Sequence, residues 1–121
     1  MEHPTVLLIE GEPVIAADLS ALLQSLHCQV LWAANDREAF ALCALRVPDF
    51  VVLNFCRSDG TDGMALARAL REIFPIKVFF VTGARRQDLE ASPDFEAGHA
   101  VLYKPFTWHQ FKTAMRYNFG V

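Results

Sequence analysis

Val6-Leu7-Leu8-Ile9 is an unbroken apolar run that stops at Glu10-Gly11-Glu12-Pro13, the pattern of a strand buried on both faces and closed by a polar turn. Pro13 suits the first turn of a following helix, in which Ile15, Leu19, Leu22, Leu23 and Leu26 recur at helical spacing. Val30-Leu31-Trp32-Ala33 reads as a second strand. Asn35 or Asp36 can cap the next helix, which carries Ala39, Phe40, Leu42, Cys43 and Leu45 and has to end before Pro48. The alternation repeats with a strand at Phe50-Val51-Val52-Leu53, a polar loop from Arg57 to Gly63, and a helix through Met64, Leu66, Ala67, Leu70 and Ile73 that Pro75 stops.

Val78-Phe79-Phe80-Val81 is a fourth buried strand, closed by Thr82-Gly83, and Ala100-Val101-Leu102-Tyr103 is a short fifth. Thr107 and Gln110 stand in capping-box spacing before a last helix that presents Phe111, Ala114 and Met115 inward. Between Ala84 and His99 apolar residues are few and Pro93 interrupts, so the expected fourth helix is confined to about Arg86 to Ala91 and gives way to irregular chain. Five strands alternating with about five helices predict an α/β domain: a doubly wound parallel sheet, helices on both faces, with a short or irregular fourth helix.

Composition narrows the class. The 121 residues, 53% hydrophobic and 21% charged, fit one domain spanning 1–121. A net charge of −3 from 11 basic and 14 acidic residues, with neither sign in a block, argues against nucleic acid or anionic lipid as the partner. No apolar run approaches the roughly 20 residues of a membrane span. Cys28, Cys43 and Cys56 are an odd set without metal-ligand spacing, and the first residues lack the pattern of a signal peptide, so a cytoplasmic protein without zinc or disulfides is expected.

In a parallel α/β sheet, ligands gather where the strands end. The residues there are Glu10, Gly11 and Glu12 after the first strand, Asn54 after the third, Thr82 after the fourth and Lys104-Pro105 after the fifth. Together with Asp62-Gly63, that order and spacing resembles the receiver domain of two-component response regulators over essentially the whole chain. The resemblance implies a flavodoxin-like, receiver-type fold and phosphoryl transfer from a histidine kinase to an aspartate ending the third strand. It also implies that Mg²⁺ is held by that aspartate and two acids after the first strand, with the threonine and lysine gripping phosphoryl oxygens.

This chain departs from that pattern. The acceptor position is Asn54, a neutral amide and a poor nucleophile, and one of the two acidic metal positions is Gly11. Glu10 remains as the single weak metal candidate, because Glu12 matches a neighbouring acid that is not usually a ligand. Mg²⁺ binding is therefore expected to be weak or absent, with no other cofactor. Glu10 and Lys104 are expected to neutralise each other in a salt bridge. The aromatic switch position, three residues before the lysine, holds Val101, while Tyr103 points to the face opposite Lys104.

The expected role is a degenerate receiver, not an enzyme, that works as a phosphorylation-independent protein-interaction module. Its partners would be a histidine kinase, an effector or another regulator. The resemblance places docking or homodimerisation on the face of the fourth helix, fifth strand and fifth helix, where Arg86, Val101, Tyr103, Trp108, Phe111 and Tyr117 are the candidates. Two alternatives stand beside it: a phosphoacceptor using Asp59 or Asp62, and a small flavodoxin-like cofactor binder, against which the acids of Glu10-Gly11-Glu12 count. Cys56 beside Arg57 near the pocket mouth is either a redox-sensitive thiol or an inert one.

Overall fold

The computed structural model describes residues 3–55, 63–95 and 100–121. Its elements alternate: β1 (Thr5–Ile9), α1 (Pro13–Ser25), β2 (Gln29–Ala33), α2 (Asp36–Leu45), β3 (Phe50–Asn54), α3 (Gly63–Ile73), β4 (Lys77–Thr82), α4 (Arg86–Glu90), β5 (Ala100–Tyr103) and α5 (Trp108–Phe119). The strands form one parallel sheet in the order β2-β1-β3-β4-β5. The three most apolar runs occupy its centre, as complete burial of a strand on both faces requires.

Period-two alternation divides each inner strand between two cores. Leu7, Ile9, Val51, Leu53, Val78 and Phe80 face α2, α3 and α4. Val6, Leu8, Val52, Phe79 and Val81 face the other way, against Ala16, Leu19 and Leu23 of α1 and Phe111 and Met115 of α5. Each large side chain so buried contributes roughly 1.5–3 kcal/mol relative to exposure. Two packed layers on a five-stranded sheet are thus supplied without metal or disulfide bonds among the described residues.

Local chemistry sets the helix ends. Pro13 occupies the first turn of α1. The Asn35 side chain accepts the Glu38 N–H at 2.9 Å, and Glu38 in return accepts the Ala34 N–H at 2.8 Å. Thr107 and Gln110 form the expected reciprocal box, at 3.1 and 2.8 Å, and Gly120 ends α5 in the left-handed region at φ 71°. The fourth helix spans five residues, as its polar sequence predicts, and so covers little of the neighbouring strand. All four residues of β5 are only half-buried.

Candidate functional site

Glu10 follows β1 at the carboxyl edge of the sheet and is buried to 5% exposure. Each of its polar groups has a partner. The N–H donates to the Ala33 carbonyl at 3.0 Å and the carbonyl accepts the Trp32 indole N–H at 2.8 Å. In the side chain, Oε1 accepts the Asn54 amide Nδ2 at 2.8 Å and Oε2 accepts the Glu12 N–H at 3.1 Å. A buried carboxylate costs several kcal/mol unless hydrogen-bonded, and charge-assisted bonds of this kind are the ones that offset the cost.

Asn54, the last residue of β3, is half-buried beside Glu10. Its amide is the chemical reason the pair is stable. An aspartate there would bring a second anion to hydrogen-bonding distance, and like charges so close cannot both ionise without relief. The residues present do not fit the Mg²⁺ site that the fold implies: Gly11 offers no side chain, and Asn54 turns its donor toward the one carboxylate. Among the described residues no group of acids, histidines and cysteines is assembled that could hold a metal ion.

The expected Glu10–Lys104 salt bridge does not form. Glu10 takes its bonds from Asn54 and Glu12, and Lys104 has no carboxylate partner among the described residues. Both oxygens of the Glu10 carboxylate are taken by nearer donors, and three inter-strand spacings, about 14 Å at about 4.8 Å each, separate β1 from β5, so Lys104 would meet Glu10 only with both side chains fully extended. Lys104 is anchored instead by its own N–H, which donates to the Thr82 carbonyl at 2.7 Å, and the peptide to Pro105 is cis.

Thr82 is fully buried, and its Oγ1 accepts the Ala84 N–H at 2.9 Å, fixing the turn out of β4. Its partner across the sheet is Tyr103. Val101 and Tyr103 both pack against the core on the α3 and α4 side, so an aromatic ring lies next to Thr82 although the usual switch position is valine. That adjacency comes from the pairing register, which sequence spacing alone does not reveal.

A second residue missed as a site determinant is Gly63. Its N–H donates to the Phe55 carbonyl at 2.8 Å, and a Cβ there would meet the Asn54 carbonyl oxygen and the Phe55 Cα at 3.0 Å. Absence of a side chain lets α3 start against the tip of β3 and keeps Asn54 in place. Gly11 and Glu12 are exposed at the rim. Cys56, Asp59 and Asp62 lie outside the described residues. Cys28 and Cys43 are buried; burial pushes both thiols up, with the Asp49 charge adding to the effect at Cys28.

The candidate partner residues do not share one face. Phe111 is fully buried and stacks against Phe106 and Trp108 at 5.7 and 6.4 Å, so it is core and not contact surface. A helix repeats every 3.6 residues, so residue 111 points with Met115 into the layer beneath. Trp108 and Tyr117, 42% and 89% exposed, are nine residues apart on α5 and so project from opposite sides of it. Tyr117 lies with Leu102, Tyr103, Pro105 and His109 around a cavity of about 510 Å³ between β5 and α5. Arg86 is exposed on α4, where the Arg85 guanidinium, hydrogen-bonded to Asp88, holds that carboxyl below its usual range.

A doubly wound five-stranded parallel sheet with an acid, a threonine and a lysine at its strand ends defines a receiver-type domain. The model of the response regulator receiver domain family matches residues 6–116, and the chain belongs to that family. It is 33% identical over 79 residues to the phyllosphere-induced regulator PhyR of Methylorubrum extorquens, a match covering 64% of this chain and 30% of that protein. It is 34% identical over 99 residues to the transcriptional regulatory protein AruR of Pseudomonas aeruginosa, covering 78% of this chain and 40% of that protein. The matches thus span well under half the length of these curated relatives. The solution structure of the PhyR receiver domain of Erythrobacter litoralis superposes with a TM-score of 0.83 at 26% identity, over 97% of this chain and 90% of that one. Among the described residues no helix is long and apolar enough to cross a membrane.

Proposed function

We propose that this receiver domain signals from the cytoplasm by binding proteins and not by accepting a phosphoryl group at the usual position. The observation that carries this reading is the 2.8 Å hydrogen bond from the Asn54 amide to the Glu10 carboxylate. It gives the acceptor position a neutral donor in place of an anionic nucleophile. It also satisfies, from within the chain, the acid that would otherwise recruit Mg²⁺. The domain then rests in one arrangement without cofactor, and its output is set by which kinase, effector or second regulator occupies its surface. No catalytic group is assigned to it.

Intact mass after incubation with acetyl phosphate and Mg²⁺ tests this reading, run beside Asn54→Asp and the double variant Gly11→Asp/Asn54→Asp. The wild type is expected to stay unmodified and the double variant to gain one phosphoryl group. A wild type that gains the group overturns the proposal and directs attention to Asp59 or Asp62.

A further inference from the structure

Two side-chain amides of α5 are each held at one end only. Asn118 Nδ2 donates to the Ala114 carbonyl at 2.8 Å, which leaves Oδ1 as an acceptor. Gln110 Oε1 accepts the Thr107 N–H at 2.8 Å in the capping box, which leaves Nε2 as a donor. Those backbone bonds decide which way each amide faces, and neither remaining atom has a partner among the described residues.

Both residues line the cavity of about 510 Å³ between β5 and α5. Eight positions of helix separate them, about 12 Å along the axis at 1.5 Å per residue. Between them the wall is apolar or aromatic, with Leu102 and Pro105 facing Ala114 and Tyr117. Tyr117 is 89% exposed, so its ring is open to a stacking partner. No lysine, arginine, aspartate or glutamate lines the cavity, although 21% of the chain is charged. Lys112 and Arg116 stand on the other flank of α5. A charged ligand would therefore give up hydration here without gaining a counter-ion.

We infer that this cavity binds a flat, uncharged organic molecule of about two fused rings, with an acceptor at the end nearer Gln110 and a donor at the end nearer Asn118. Its rings would lie against Tyr117 and the apolar wall. The two oriented amides would set the direction in which it lies, one giving a hydrogen bond and the other taking one. Small-molecule clefts of this volume have that composition, apolar and aromatic walls with a few placed polar groups. The inference goes beyond the protein-binding reading and does not depend on the chemistry at Asn54.

The test is titration of the intact chain with 7-amino-4-methylcoumarin, an uncharged two-ring probe with a carbonyl at one end and an amine at the other, followed by probe fluorescence and amide chemical shifts. Saturable binding is expected with a dissociation constant below about 1 mM, the range open to a molecule of this size. Shifts are expected at Leu102, Tyr103, Gln110 and Asn118, with no dependence on salt. The 7-methoxy analogue, which lacks the donor, should bind the wild type about three- to tenfold more weakly. Asn118→Leu should weaken binding of the amine by a similar factor and abolish the difference between the two probes. Tyr117→Ala should also weaken binding, and Lys112→Glu/Arg116→Glu should leave it unchanged. The comparison of probes on the wild type needs no variant, so it stands even where a substitution costs stability. Absence of saturation below about 1 mM, shifts confined to other residues, or equal affinity for the two probes overturns the proposal. Equal or tighter binding by a sulfonated form of the probe, or a loss of binding in the charge-reversed variant, overturns the assignment of an uncharged ligand. Displacement of the probe by self-association of the chain through this face gives the surface to a second copy and overturns it as well.

Discussion

The indole N–H of Trp32 donates to the backbone carbonyl of Glu10 at 2.8 Å, fastening the tip of the edge strand β2 to the residue at the centre of the pocket. Trp32 is 45% exposed, so the hydrogen bond and not burial accounts for its placement. Trp32→Phe keeps the ring and deletes the donor. Urea unfolding should show a loss of about 0.5–1.5 kcal/mol, the usual worth of one such bond.

Asn54→Asp replaces the donor to Glu10 with a second carboxylate. Stability at neutral pH should fall by about 1–3 kcal/mol, from the lost bond and the new repulsion. The loss should shrink as pH drops through the carboxylate range, because one shared proton removes the repulsion. Mg²⁺ should raise the melting temperature of the variant and leave the wild type unchanged, as differential scanning fluorimetry can show.

Gly63→Ala drives a methyl group to 3.0 Å from the Asn54 carbonyl oxygen and the Phe55 Cα, both main-chain atoms that cannot rotate away. The expected cost is about 1–3 kcal/mol. Amide shifts should move at Asn54 and Phe55 first.

Burial raises the thiol pKa of Cys28 and Cys43 above the ordinary 9.0. An acid whose folded pKa is raised contributes stability below the unfolded pKa, and that contribution is lost as pH climbs toward the folded value. Stability should therefore decline above about pH 9. In the native state neither thiol should react promptly with Ellman's reagent at pH 8, and both should do so in denaturant.

Much of this molecule is legible in its residues. The central strands announce themselves as continuous apolar runs, and Thr107 with Gln110 marks the start of α5 before any coordinate is known. Reading failed where the answer depended on sheet order or helix azimuth. Glu10 and Lys104 look like natural partners when strand ends are written in sequence, yet two strands lie between theirs. Phe111, which the spacing turns inward, also stands with Trp108 among the candidate partner residues, and its full burial leaves only the inward reading. The bond from Trp32 to Glu10 joins residues 22 positions apart, and only the parallel pairing of β1 with β2 makes them neighbours.

The five-residue α4 has a consequence for the energy landscape of the domain. With little helix above it and, among the described residues, no strand beyond it, β5 is held less tightly than β1, β3 and β4, so local opening should begin there and amide exchange should rank the strands accordingly. A ligand seated on β5 would bind the closed form and not the open one. Its binding energy would then appear as slower exchange along that strand, in proportion to the ligand's concentration relative to its dissociation constant.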